Sequence, residues 1–208
     1  MIAQDAKSAE IIRPILRGKD IKRYSYEFAD KYLITTYNAY TDSEGNYIPS
    51  VDINDYPAVK VHLDNYSEQI SKRQDKGDTP YNLRRCAYMD DFNKPKIMYS
   101  EIVQSPQFYL DNDSEFVSEA SGFLLTGEDL EYLIDWLNSM TIAWVFKNFY
   151  AGGSLGEHGF RYKKVFLENL PIPKKHDSTN YKDNEILIQE RLELTTEEIK
   201  FISSVVNP

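Results

Sequence analysis

Ile11-Ile12-Arg13-Pro14-Ile15-Leu16-Arg17-Gly18-Lys19-Asp20-Ile21-Lys22-Arg23-Tyr24 sets five cations within eleven positions, Arg13 to Arg23, against one carboxylate, Asp20. Ile12, Ile15, Leu16 and Ile21 lie between the charges. That mixture predicts a segment anchored by its aliphatic side chains, with the cations projecting outward. Lys31–Tyr37 (KYLITTY) then reads as a strand, Leu33 and Thr35 facing opposite to Tyr32 and Ile34. Asp42-Ser43-Glu44-Gly45-Asn46 is a turn cluster, after which Tyr47-Ile48 returns as a short strand. Residues 1–10 are polar and are expected to be helical and loosely held.

Asp55 just before Pro57 suits a helix start. Val59, Leu63, Tyr66 and Ile70 follow at steps of four, three and four as one buried stripe, with Glu68 and Lys72 as an exposed pair. Lys76-Gly77-Asp78-Thr79-Pro80 should stop that helix. Lys96–Ile102 and Gln107–Leu110 read as strands around Ser105-Pro106, and Phe116–Leu125 as another, interrupted near Gly122. Thr126 and Asp129 resemble a capping box, with Asp where Glu or Gln is usual. The helical spacing from Leu130 to Phe146 is expected to bend or split at Asn138-Ser139.

Phe160–Leu170 is strand-like in part, Lys174–Asp183 is a polar linker, and Thr195 with Glu198 caps a last helix carrying Ile199, Ile202 and Val206 on one face. Strands and helices mix without regular alternation, which predicts an α+β (mixed α/β) fold. The expectation is a single compact domain with a mixed β-sheet, flanking helices and a C-terminal helix. Its organisation reads as residues 1–10 a tail of an upstream domain, 11–175 the main domain, and 176–208 a linker and C-terminal docking helix. Residues 2–9 look like the continuation of a preceding domain, as in the tail of a longer enzyme.

At 208 residues and 41% hydrophobic content, with 16 Tyr, 10 Phe and 2 Trp, the chain carries enough apolar area for an ordered core. No apolar run reaches the roughly 18 residues of a membrane span, and the N-terminus lacks an apolar signal core. With Cys86 as the single cysteine, a reducing cytoplasm is expected. The net charge of −9 argues at first against a nucleic-acid binder. It is unevenly placed: residues 1–100 hold 15 basic and 15 acidic groups, residues 101–208 hold 9 and 18.

Gly152-Gly153-Ser154-Leu155-Gly156 matches G-x-S-x-G, but a nucleophile elbow needs a strand before the serine and a helix after it. Here the order is reversed, so a flexible glycine connection is the better reading. His62, His158 and His176 are far apart and Cys86 is alone, leaving no metal-ligand spacing. Neither a Walker A loop nor a dinucleotide fingerprint is present. Asp90-Asp91 and Glu128-Asp129 fit a turn and a helix start rather than a catalytic pair. No catalytic or metal-binding residue is assigned.

Three basic groups remain. Arg17, Lys19, Lys22 and Arg23 form the first, with Arg13 ahead of them. Lys72, Arg73, Lys76, Arg84 and Arg85, with Tyr81 and Asn82 among them, form the second; Arg161, Lys163 and Lys164 form the third. Lys and Arg that hold phosphates, beside Asn, Arg and Tyr able to reach base edges, are what a DNA-reading module needs. Taken singly, each group also fits a solvated face, and a helix C-terminus attracts Lys72, Arg73 and Lys76 without any partner.

The 11–24 segment resembles the opening of the TaqI-like C-terminal specificity domain, which follows the methyltransferase in type IIG restriction–modification enzymes and related modification methylases. Further similar pieces occur in the family's order. They are Tyr56-Pro57, Lys72-Arg73, Lys76-Gly77, Thr79-Pro80-Tyr81-Asn82, Lys94-Pro95-Lys96-Ile97, Glu101-Ile102, Leu124-Leu125-Thr126-Gly127, Leu137-Asn138-Ser139 and Leu170-Pro171-Ile172-Pro173. The resemblance covers about residues 10–175.

It implies target recognition, with a mixed α/β globule in the major groove and helical material docked to a catalytic part, as in one half of a type I specificity subunit. Double-stranded DNA and a methyltransferase catalytic domain or subunit would be the partners. By position, Arg17, Lys19, Lys22 and Arg23 would face DNA or the domain junction. Lys72, Arg73, Lys76, Tyr81, Asn82, Arg84 and Arg85 would form a recognition or phosphate-contacting loop. Arg161 and Lys163, from the third basic group, are expected to add DNA contacts on the strength of their charge alone. Family members read different sequences, so base-reading residues do not transfer.

An adenine methyltransferase's Asn/Asp-Pro-Pro-Tyr/Phe motif and glycine loop for S-adenosylmethionine are absent, as is a Pro-Asp…Asp/Glu-x-Lys nuclease constellation. The expectation is therefore a non-catalytic specificity module with no cofactor of its own, S-adenosylmethionine belonging to the associated catalytic domain. The alternative is a protein-interaction subunit that docks to a methyltransferase or restriction complex without gripping DNA. An acidic DNA mimic is a variant of it, though mimics present carboxylates in rows.

Overall fold

In the computed structural model, residues 1–151, 159–175 and 184–206 are described. Their strands are β1 (Ile12–Leu16), β2 (Ile21–Lys22), β3 (Ser25–Tyr26), β4 (Tyr32–Ile34), β5 (Tyr40–Thr41), β6 (Tyr47–Ile48), β7 (Lys96–Ser100), β8 (Ile102–Val103), β9 (Phe108–Asp111), β10 (Val117–Ser118), β11 (Gly122–Leu125) and β12 (Phe160–Arg161). Their helices are α1 (Pro57–Asp64), α2 (Ser67–Lys72), α3 (Leu130–Leu137), α4 (Met140–Val145), α5 (Lys164–Leu167), α6 (Asn184–Arg191) and α7 (Thr196–Val206). The α+β class holds, with the strands distributed over small sheets. The chain passes repeatedly between two compact units: Met1–Ile15, Asp30–Lys94 and Asp113–Val117 make one, and Leu16–Ala29, Pro95–Asn112 and Ser118 onward make the other.

In the first unit β1 pairs antiparallel with β4, Arg13 opposite Leu33, and β5 pairs with β6. The β5–β6 turn closes as its composition predicts, because Asp42 accepts from the backbone amides of Glu44 (2.9 Å) and Asn46 (2.8 Å). Residues 6–11 form a 3-10 helix led by Asp5, and Ser8 and Ile11 are buried, so this end is held. Ile11, Ile53 and Val59 make the small core.

The helix expected from Pro57 onward is two helices. Tyr66 leaves the helical region and is 48% exposed, and only Val59 of the expected stripe is fully buried. A core of three buried residues is too small to cover a stripe about three turns long.

The second unit is built on β11-β7-β9, antiparallel throughout. Its core is aromatic: Phe108 lies 5.3 Å from Tyr99 and 4.9 Å from Tyr162, which lies 4.6 Å from Phe146. At the register pair Lys96–Asp111, β7 and β9 carry a buried ion pair of 2.6 Å. The long helical run splits where expected: Asn138 ends α3, and the Ser139 hydroxyl accepts from the Ile142 amide at the start of α4. The Thr126–Asp129 capping box does not form; Asp129 precedes α3 with a left-handed φ of 53° and pairs with Lys175 at 2.9 Å.

No element is expected at 184–191, yet α6 forms there, because Glu185 accepts from the amides of Met140 and Thr141, each at 3.0 Å, and Ile188 is buried. Thr195 and Glu198 cap α7 reciprocally, as expected. α7 packs on α4 and buries Ile202, while Phe201 on the same helix stays exposed. No helix among the described residues is long and apolar enough to cross a membrane.

Candidate nucleic-acid interface

Arg17 turns its guanidinium onto Asp20, with Nε and the amide on Oδ2 (2.8 and 3.0 Å) and Nη2 on Oδ1 (2.7 Å). Asp20 is 4% exposed, and this bonding holds its carboxyl below the ordinary range despite burial. The positive charge of Arg17 is thus matched locally, which corrects its reading as an outward cation. The 3-10 turn that follows, Gly18–Asp20, sits hard against its neighbours. The Gly18 amide donates to Ser121 Oγ at 3.0 Å, and a Cβ on Gly18 would lie 2.5 Å from Ser121 O and 2.8 Å from Ser100 Oγ. Lys19 is exposed at that turn, with no ion-pair partner among the described residues.

Lys22 donates to Lys19 O at 2.9 Å and lies 3.4 Å from Glu27. Arg23 donates from Nε to Asn138 O at 3.1 Å and covers the Tyr24 ring at 5.5 Å. Tyr24 itself adopts a left-handed φ of 58° at the β2–β3 turn. Burial beside Asp135 pushes its phenol up to about 12.

Arg161 lies opposite Ile102, and the Tyr162 amide donates to Glu101 O at 2.8 Å. Lys163 is exposed, 5.9 Å from the Phe166 ring, while Arg161 is half-buried with Nε making no hydrogen bond. The first and third basic groups therefore meet the same end of β7, Gly18 against Ser100 and Arg161 against Ile102. Glu101 and Glu119 share that end, Glu119 accepting from Ser121 Oγ at 2.6 Å, so its charge is mixed.

The second group belongs to the other unit. Lys72 pairs with Glu68 at 2.5 Å in solvent, as the four-residue spacing predicts, and Arg85 pairs with Asp78 at 2.9 Å. Lys76 donates to Ser71 O at 3.0 Å; Arg84 is exposed with no ion-pair partner among the described residues. Three other members turn inward. Arg73 donates to Pro80 O (3.1 Å) and Asn82 O (2.9 Å). Tyr81 donates to Asp64 at 2.6 Å, which raises its phenol, and packs on the unit's core. Asn82 is 2% exposed, its amide donating to Tyr37 O (3.2 Å) and Val51 O (3.1 Å). Base reading by Asn82 is thereby corrected: its polar atoms are consumed beneath the loop.

Arg13, part of the first group in sequence, likewise turns to the loops around it, donating to Phe92 O (3.0 Å), Ser114 O (2.7 Å) and Asn93 Oδ1 (2.8 Å). Sequence reading misses Asn38, 4% exposed, which accepts from the Asp78 amide at 2.8 Å and donates to Leu83 O. An asparagine between two predicted strands carries no periodic signal that would single it out.

Elsewhere, among the described residues no group of three or more His, Cys, Asp or Glu could hold a metal ion. Asp90 and Asp91, in the 3-10 helix Met89–Asn93, share Lys94 at 2.8 and 3.1 Å. The 152–156 glycine motif, His158 and His176 lie outside the described residues.

No curated protein sequence matches the chain. Among solved structures it is similar to the type IIL restriction-modification enzyme MmeI in complex with DNA, with a TM-score of 0.54 and 15% identity. That likeness covers 98% of this chain and 29% of the enzyme, so the chain spans less than a third of that protein's length. At such identity the likeness is one of fold. A family model, the TaqI-like C-terminal specificity domain, matches residues 13–172. Most of the sequence lies within that match, and the chain belongs to the family of TaqI-like C-terminal specificity domains.

Proposed function

We propose that this chain reads duplex DNA for a restriction–modification adenine methyltransferase of the type IIG kind, residues 11–175 contacting DNA and positioning a catalytic domain that carries S-adenosylmethionine. The observation that carries the reading is the Lys76–Arg85 loop. It lacks regular structure, yet four inward-turned side chains (Arg73, Asn38, Tyr81 and Asn82) hold it while Lys76, Arg84 and Arg85 stay at its surface. An irregular loop so thoroughly supported is the usual form of a binding loop. Lys19 and Lys163 supply further surface charge in the second unit.

Titration of fluorescent duplex DNA across a salt series tests this. Each phosphate neutralised contributes about −0.9 to the slope of log K against log salt. Three to five contacts therefore predict a slope of about −3 to −4.5. A flat salt dependence, or no binding at low salt, defeats the reading.

A docking role has one observation of its own. Trp144 contacts Phe149 (5.8 Å) and Phe201 (6.2 Å), and the two phenylalanines are 70% and 57% exposed. Co-purification with a methyltransferase without any shift of DNA would favour it.

A further inference from the structure

Between β4 and β5, residues 35–39 have no regular hydrogen-bonding partner strand, yet Thr35, Thr36 and Asn38 are all buried. Buried polar groups must be satisfied: Thr35 bonds to Ile11 O, and Thr36 and Asn38 are satisfied largely by the Lys76–Arg85 loop. The Leu83 amide donates to Thr36 O at 2.8 Å, and the Thr36 hydroxyl donates to Tyr81 O at 2.7 Å. Asn38 bridges both arms of the loop: its Oδ1 accepts from the Asp78 amide at 2.8 Å, and its Nδ2 donates to Leu83 O. Gly77 closes the arrangement. Its amide donates to Asn82 O at 3.0 Å, and a Cβ there would collide with Asn38 Oδ1, Asn38 Nδ2 and Leu83 O. Asn38 and Gly77 are therefore fitted to each other, and an asparagine amide is what supplies an acceptor to one arm and a donor to the other.

The exposed cations lie on or next to the two bridged arms. Lys76 precedes Gly77 and Asp78, and Arg84 and Arg85 follow Leu83. Were the arms free, binding would have to order about ten residues, at a cost that lowers affinity; a loop already fixed avoids it.

We propose that Asn38 is the positioning residue of this loop, keeping Lys76, Arg84 and Arg85 in one preformed arrangement for DNA phosphates and bases. The proposal rests on the DNA-reading function above. It concerns a residue that itself touches no DNA.

The test compares Asn38→Ala, which removes both bonds, with Asn38→Asp, which retains the acceptor for Asp78 and loses the donor to Leu83. Arg84→Ala is the direct-contact reference. Duplex affinity, its salt slope and hydrogen exchange of the 77–83 amides are measured for each. Asn38→Ala is expected to weaken binding about tenfold, equivalent to about 1.4 kcal/mol. The salt slope should be unchanged, because the same phosphates are still neutralised. Exchange should quicken at Asp78 and Leu83 in the free protein and slow again when DNA saturates it, while α1 amides stay as in the parent.

Asn38→Asp should fall between the parent and Asn38→Ala, and it carries the test alone if Asn38→Ala does not fold. Unchanged affinity in a variant whose 77–83 amides have lost protection would overturn the proposal. So would full protection of those amides in both variants. If Arg84→Ala also leaves affinity and sequence preference untouched, the DNA-reading function fails with it; if Arg84→Ala weakens binding and Asn38→Ala does not, only the positioning role is lost.

Discussion

Replacing Lys96 by Met tests how the second unit's sheet is held. Lys96 and Asp111 face each other across β7 and β9, 2.6 Å apart, with side chains 0% and 2% exposed. The methionine keeps the unbranched stem and removes the ammonium, leaving the Asp111 carboxylate deprived of that partner inside the protein. Breaking a buried pair from one side costs about 3–5 kcal/mol, because the remaining charge stays desolvated. For a chain of this size each kcal/mol lowers the midpoint by about 2–4 °C, so a loss of about 6–20 °C is expected.

Urea unfolding followed by tryptophan fluorescence suits the measurement, since both tryptophans, Trp136 and Trp144, belong to this unit. The double variant Lys96→Met/Asp111→Leu should recover most of the loss, since well-packed apolar replacements of a buried pair are often neutral or better. A single-variant cost below about 1 kcal/mol, or a double variant no better than the single, would refute the reasoning. β7 ends at Ser100, against which Gly18 is seated.

Three more outcomes follow from particular contacts. Asp20 is held below the ordinary carboxylate value by Arg17, so its stabilisation is complete above the unfolded value of about 3.9 and is lost as pH falls through the folded one. Asp20→Asn should therefore lower stability at neutral pH and flatten its decline below about pH 4, as read by urea midpoints across pH. At Tyr24, with φ of 58°, Tyr24→Gly should be about 1 kcal/mol more stable than Tyr24→Ala: both lose the ring, and only glycine is unstrained there. Thr195→Ala removes the α7 cap and should cost about 0.5–2 kcal/mol of helix stability, seen as faster amide exchange in residues 196–200.

What proved legible beforehand was short in range. The Asp42–Asn46 turn, the break at Asn138-Ser139 and the Thr195–Glu198 cap each involve groups within four residues of one another. The Thr126–Asp129 pattern has similar spacing but fails, since Asp129 is engaged by Lys175 from far along the chain. The helix at Pro57 begins as its composition requires and ends early, because helix length depends on how much core lies beneath it. The exposed Lys19, Arg84 and Lys163 and the inward-turned Arg17, Arg73, Tyr81 and Asn82 are residues of the same types in the same clusters. No property of the clusters separates the two sets.

From sequence alone came the mixed class, the family likeness through an ordered series of short motifs, and the location of the basic groups. Each of these is carried by residue type and near spacing. Only the folded chain decided which polar groups face water, which bury themselves against distant carbonyls, and that Asn38 spans both arms of the Lys76–Arg85 loop. The physical reason is that a buried polar group must find a partner wherever the backbone brings one: Arg17 meets Asp20 three residues on, whereas Asn38 meets the Asp78 amide 40 residues away.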